Sequence, residues 1–207
     1  MKIKNVIRNI LACVFFVNIS VVNAALITPS SITGTGSFSN DVNLIIDGVV
    51  PAETTPWTAA SNVYWTGTNT SFTIDLGDVY TIEDVLISVD NNDAYNVEYS
   101  LDNSSWTNLF TLFWYYGEIG WGMDTMTSDS SSAEYVSQLD FAAVDAQYLR
   151  VFSTSGDNFY SIGELQAFGS LSTPSNPIAA PPTWVLFGLG LLGLLRNKRG
   201  TNSSKSA

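Results

Sequence analysis

Carboxylates, amides and aromatic rings carry almost all the chemistry this chain has to offer. It contains no His, and its single Cys is Cys13. Ser-His-Asp and Cys-His nucleophilic catalysis therefore have no residues to run on. Asp90, Asn91, Asn92 and Asp93 put carboxylates and side-chain amides in one consecutive run. Such a set suits sugar hydroxyls or a second hard cation, and it equally suits an Asx turn with no ligand. Segment 113–123, FWYYGEIGWGM, places Trp114, Tyr115, Tyr116 and Trp121 among glycines, without strand alternation. Rings in such a stretch are available to stack on sugar faces. Trp65 is a further stacking candidate, whereas Trp57, Trp106 and Tyr148 fit a core. Arg150 stands alone among acids and is expected in a structural ion pair. Paired carboxylates could hydrolyse glycosides. With 19 Asp and Glu, though, some pairing is inevitable, and we expect no enzyme.

The elements that would position these groups read as strands. Tyr95, Val97, Tyr99 and Leu101 alternate with Asn96, Glu98 and Ser100, the period of a strand with one buried face. Asp102-Asn103-Ser104 is a turn cluster, and Trp106 opens the return strand over 106–112. Phe72, Ile74 and Leu76 alternate over 71–76, and Gly77-Asp78 is expected to end that strand. Val85, Ile87 and Val89 mark another over 82–89. Short strands are expected at 42–46, 63–65, 135–141, 147–153 and 162–168, with an irregular leading strand within 25–40. Residues 49–61 and 113–132 read as loops. No stretch shows sustained helical periodicity with caps. Short strands separated by turn signals imply an all-β antiparallel sandwich.

The two ends differ from this middle. Lys2, Lys4 and Arg8 precede an apolar run over 10–22 and the small-residue pattern Val22-Asn23-Ala24. We expect a signal peptide over 1–24. Its loss would remove the only Cys, so the domain would have no disulfide. Residues 25–169 would form the sandwich, and 170–180, rich in Ser, Pro and Ala, a linker. Residues 181–199 include WVLFGLGLLGLL followed by Arg196-Asn197-Lys198-Arg199, an apolar span with a basic stop that reads as a C-terminal transmembrane helix. Residues 200–207 are a tail. All 19 carboxylates lie between Asp41 and Glu164, and Arg150 is the only cation between Ala25 and Leu195. A domain so acidic would repel nucleic acid but is compatible with calcium and neutral sugars.

Two stretches resemble known families. The C-terminal span is similar to the PEP-CTERM sorting signal of Gram-negative bacteria, with Ala180-Pro181-Pro182 where Pro-Glu-Pro is usual. The resemblance implies an inner-membrane stage, processing by an exosortase, and delivery to the cell surface or extracellular polysaccharide matrix. The middle resembles the discoidin, or F5/8 type C, branch of galactose-binding-like jelly-roll sandwiches. Five pieces carry it in order: LIIDG with the later Thr55-Pro56-Trp57, SFTIDLG, YNVEYSLDNSSW, AQYLRVF and IGELQAFG. It implies a structural calcium site joining the Asp-Gly loop to the last strand. Asp47, Thr55 and Glu164 would be its side-chain residues, with backbone carbonyls near Leu44 and Val50. The reading that follows is an exported binding module for polysaccharide or surface glycan, with Asp90, Asn91, Asn92, Asp93, Trp65, Trp114, Tyr115 and Trp121 as ligand-binding candidates. A structural or adhesive matrix protein without sugar specificity is the alternative, and a glycosidase is the weakest of the three.

Overall fold

The computed structural model describes residues 24–173. The expected signal peptide (bar Ala24), most of the linker and the C-terminal apolar span lie outside them. Among the described residues no helix is long and apolar enough to cross a membrane.

The described chain is all antiparallel β apart from two short 3-10 turns, Val42–Ile45 and Ser137–Leu139. The strands are β1 (Ala25–Leu26), β2 (Ser31–Thr35), β3 (Phe38–Ser39), β4 (Val63–Thr66), β5 (Ser71–Asp90), β6 (Ala94–Ser100), β7 (Thr107–Leu112), β8 (Met123–Thr127), β9 (Val144–Ser155) and β10 (Phe159–Leu171).

Strand β5 organises them, because its two halves serve two different layers. Its first half pairs with β2 on one side and β9 on the other, and β9 leads on to β6 and β7. Its second half lies between β10 and β8, and β10 leads on to β4 and β3. The chain turns the corner between Asp75 and Tyr80, where the register with β9 shifts. Gly77 sits there at φ 89° and donates its amide to Asp75 Oδ1 at 2.8 Å. The expected strand end at Gly77-Asp78 is thus a bend inside one long strand. A left-handed residue there interrupts the pairing with β9, which resumes at Tyr80, while the chain continues as one strand.

The inward faces meet in one core. Phe72, Ile74 and Leu76 enter from one half of β5, and Ile82, Val85, Ile87 and Val89 from the other. Trp65, Phe72, Tyr95 and Tyr160 form its aromatic centre, with Trp65 edge-on to Phe72 at 5.2 Å between centroids. Tyr95 is fully buried, yet its hydroxyl is satisfied: it accepts from the Ser161 amide at 3.2 Å and lies 3.2 Å from the carbonyls of Asp90 and Ser161. Burying each such ring is worth about 1.5–3 kcal/mol.

The β6–β7 hairpin forms where the alternation predicts, with Tyr95 and Val97 inward, but the alternation fails at its end: Ser100 is buried and Leu101, 55% exposed, lies beyond β6. Asp102 Oδ1 accepts the amides of Ser104 and Ser105 at 2.9 and 2.8 Å, and these bonds hold its carboxyl well below the usual range. Arg150 lies opposite Glu98 on β6, donates Nε to its carboxylate at 3.0 Å, and stacks 4.2 Å over Trp106. It is the structural cation its isolation suggested.

Several elements differ from expectation. In place of the strand expected at 42–46 stands the 3-10 turn Val42–Ile45, capped by Asp41, whose carboxylate accepts the Asn43 amide at 3.0 Å. A local side-chain acceptor here wins over strand propensity. Segment 135–141 carries only one isolated bridge, Thr127 to Tyr135, and the second 3-10 turn. The supposed loop 113–132 contains β8, all of whose residues are buried.

Candidate functional site

Strand β8 is the strut on which the candidate site is built. Three loops fasten to it. Thr54 donates its amide to the Met123 carbonyl at 2.8 Å, and the Met123 amide returns to the Thr55 carbonyl at 2.9 Å. The Asn91 amide bonds to the Gly122 carbonyl at 3.1 Å, and the Thr127 amide to the Glu134 carbonyl at 2.9 Å. Asp124, fully buried, ties down the aromatic loop. Its Oδ2 accepts from Asn91 Nδ2 at 2.7 Å and from the amides of Glu118 and Ile119 at 3.2 and 3.3 Å. Asn91 Nδ2 also reaches the carbonyls of Tyr116 and Ile119, each at 2.7 Å. Gly117 is required at the point of contact: it has φ 73°, and any Cβ would strike Asp124 Oδ2.

The loop anchored this way turns its rings outward. Trp114, Tyr115 and Trp121 are 60, 59 and 64% exposed. Phe113 stacks on Tyr115 at 5.5 Å with planes 7° apart, while Trp114 and Tyr116 meet Tyr115 edge-on at 5.3 and 5.0 Å. Exposed aromatic rings grouped on one loop make it a candidate binding face. Beside it lies a hollow of about 470 Å³ whose lining includes Tyr115, Tyr116, Glu118, Glu134, Tyr135 and Gln138. Aromatic faces next to carboxylate and amide groups offer apolar stacking together with hydroxyl recognition.

The other proposed ligand residues have structural positions. Trp65 is 2% exposed, packed in the core, and donates Nε1 to Ser153 Oγ at 3.2 Å, so it is not a stacking surface. Asp90, Asn91 and Asp93 are also buried, and the run 90–93 is a closed turn instead of an open acidic loop. The Asp157 amide donates to Asp93 Oδ1 at 3.0 Å, and Asn92 Nδ2 reaches Asp157 Oδ2 at 2.9 Å. Burial, assisted by the charge of Asp157, pushes the Asp93 carboxyl up to about 7. Burial likewise raises Asp90 to about 6, opposed by the Gly122 amide. Asn91 serves the ligand face from beneath, as the prop of the aromatic loop.

Asp47 and Glu164 do come together. Glu164 is 1% exposed, and its Oε1 accepts the Gly48 amide at 3.2 Å while Oε2 is buried without a partner. Burial pushes its carboxyl up to about 7, and the charge of Asp47 adds to the rise. An orphaned carboxylate oxygen facing a second carboxylate fits a hard cation. Thr55 lies in the same loop as Asp47 but spends its carbonyl on Met123, which leaves its hydroxyl as the free donor.

A further acidic group escaped the sequence reading. Carboxylate oxygens of Glu53, Glu118 and Glu134 lie within 4.8 Å of one another. Burial raises the Glu134 carboxyl, and the charges of Glu53, Glu118 and Asp124 raise it further. These residues come from three loops 65 and 16 positions apart, so no spacing motif announces them. Strand β8 was equally hidden, since both of its faces are covered and MDTMT mixes polar and apolar residues without a one-sided alternation.

The fold and this loop-borne face define a galactose-binding-like β-sandwich with a candidate binding surface. Residues 27–165 match the F5/8 type C domain, and the chain belongs to that family. Among solved structures, a Streptococcus pneumoniae fucose binding module is 15% identical, with TM-score 0.50, over 71% of this chain and 96% of its own. The module CBM32-5 from Clostridium perfringens, in complex with GalNAc-β-1,3-galactose, is 18% identical, with TM-score 0.47, over 70% of this chain and all (100%) of its own. The family match and the likeness to the fucose binding module establish the fold. No curated protein matches the chain in sequence.

Proposed function

We propose that this chain is a carbohydrate-binding module of the cell surface or extracellular matrix, non-catalytic, and that the aromatic loop 113–121 is its sugar-binding face. The observation that carries the reading is the exposure of Trp114, Tyr115 and Trp121 on a loop clamped by the buried Asn91–Asp124 pair. Exposed rings cost stability unless something covers them, and a rigid loop presents them at little entropic cost on binding. Membership of the F5/8 type C family and the shared fold of a fucose binding module support a glycan ligand.

Asp47, Glu164 and the Thr55 hydroxyl would hold a structural calcium ion, with carbonyls near Leu44 and Val50. Such an ion would neutralise the Glu164 charge and pin the 47–57 loop to β10. The two ends belong to the same reading: export by residues 1–24, a linker over 170–180, a membrane-spanning sorting signal over 181–199 handled by an exosortase, and a 200–207 tail. The first test is a glycan array probed with the full-length chain. Binding to a defined set of glycans, reduced in Trp114→Ala, is expected. A blank array would remove the sugar reading and leave an adhesive matrix role.

A further inference from the structure

Three residues, Asn91, Asn92 and Asp93, join β5 to β6, and each ties down a neighbouring segment. Asn91 Nδ2 holds the aromatic loop through the carbonyls of Tyr116 and Ile119 and through Asp124 Oδ2, each at 2.7 Å. Asn92 and Asp93 hold the 156–158 turn between β9 and β10. Asn92 Nδ2 reaches Asp157 Oδ2 at 2.9 Å, and Asp93 Oδ1 accepts the Asp157 amide at 3.0 Å. Residues 91–93 are therefore a crosslink between the aromatic loop and the β9–β10 turn. Asp93 is the vulnerable member. It is fully buried, and its Oδ2 has no partner. Gly156, at φ 147°, packs so closely over it that a Cβ would strike Oδ1. The titratable groups around Asp93 are Asp90 at the end of β5, Asp157 in the covering turn, Tyr95 on β6 and Tyr160 on β10, and none can bring a positive charge. Arg150, the only cation between Ala25 and Leu195, is committed to Glu98. A carboxyl buried in such a place favours its protonated form, and charging it favours whatever opening admits water.

We infer that Asp93 is a proton-controlled latch for the aromatic loop: protonated, it keeps the β9–β10 turn closed over residues 91–93 and Asn91 in place, and ionised, it releases them. Burial lifts this carboxyl to about 7, opposed by the Asp157 amide and assisted by the charges of Asp157 and Asp90. A carboxyl raised in the closed form binds its proton more tightly closed than open. Closure is therefore strongest below the open-state value of about 4 and weakens as pH rises to about 7. The opening is local, and it lies below the free energy of unfolding the whole domain. Glycan affinity falls in the same window; that consequence rests on the sugar reading above, and the latch itself does not.

Hydrogen exchange of the full-length chain, expressed as protection factors at pH 5 and pH 8, tests the latch without any sugar. The reporters are the amides of Glu118 and Ile119, which bond Asp124 Oδ2, and of Asn91, which bonds the Gly122 carbonyl. Their protection is expected to fall at least tenfold from pH 5 to pH 8. Asp93→Asn keeps an oxygen for the Asp157 amide and cannot ionise, so most of that fall should disappear. Asp90 and Asp124, whose carboxyls burial also raises, are unchanged in the variant, and the difference isolates Asp93. Titration of the Asp93 carboxyl carbon by NMR needs no variant, and its midpoint should coincide with the loss of protection. Level protection between the two pH values, an equal fall in Asp93→Asn, or a carboxyl midpoint near 4 would overturn the latch. So would loop protection equal to that of the Val97 amide at both pH values, since the loop would then open only with the whole domain. A blank glycan array beside the expected exchange pattern would remove the sugar reading and leave the latch standing.

Discussion

Asp93 has no solvent contact, one hydrogen bond and a neighbouring acid. Its folded-state pKa, raised to about 7, lies above the usual carboxylate value. A raised carboxylate binds its proton more tightly folded than unfolded. Stability is therefore greatest below the unfolded pKa and falls as pH rises from about 4 through about 7. Asp90 and Glu164 are displaced in the same direction. Thermal melts of the metal-free protein should show a decline on the order of 2–4 kcal/mol across that window from Asp93 alone. Asp93→Asn keeps an oxygen for the Asp157 amide and cannot ionise, so its profile should be flatter. An equally steep profile in that variant would contradict the assignment. The acidic run was visible in the sequence, but its direction was not. Consecutive Asp and Asn read alike whether they face water or fold under a turn, and only the 156–158 turn packed over them decides.

At the scale of elements, most strands were legible, including β10, which is covered on both sides from Tyr160 to Leu165, whereas β8 was not. The Tyr95–Leu101 alternation announced β6, and the Asp102 cluster announced its turn. Strand β8 has no solvated face and no apolar–polar alternation, and aromatic and glycine residues precede it, so its sequence looks like more loop. The bend in β5 reads as an end because Gly77-Asp78 ends most strands, whereas here the ladder resumes at Tyr80. Trp65 follows the same logic: ring chemistry made it a candidate, and its place on β4 against β10 buried it. The aromatic loop, by contrast, was recognisable as exposed, because its rings have no period to put them in a core. Gly117 tests how that loop is held. Gly117→Ala would place a Cβ against Asp124 Oδ2 and oppose the positive φ, costing about 1–3 kcal/mol. The loss should appear as a lower melting temperature and faster hydrogen exchange in 113–122. Exchange unchanged there would mean the loop is not clamped through Asp124.

For the whole molecule, charge is the dominant constraint. One arginine stands against 19 carboxylates between Ala25 and Leu195, and a single cysteine, Cys13, can form no disulfide within the chain. Cations that bound only the folded state would then add to stability. Calcium at a hundredfold over its dissociation constant would contribute about 2.7 kcal/mol per site. At about 2–4 °C per kcal/mol for a chain this size, chelation should lower the melting temperature by roughly 5–10 °C per site. Glu164→Gln should lose the contribution of the Asp47 site, and a melting temperature indifferent to chelator would remove the calcium site. Family and fold were readable from five spread-out sequence pieces because they report scaffold: strand ends, a turn and a closing strand. The ligand face was readable only in part, since loops that meet on β8 are far apart in sequence. The most direct test of the account is the affinity of the full-length chain for a glycan recovered from the array, measured by calorimetry beside Trp114→Ala/Tyr115→Ala. These exposed rings can be removed without touching the core, so the variant should keep its melting temperature and bind at least tenfold more weakly, a loss of about 1.4 kcal/mol or more. Equal affinity in a variant of unchanged stability would place the sugar site elsewhere and contradict the central claim.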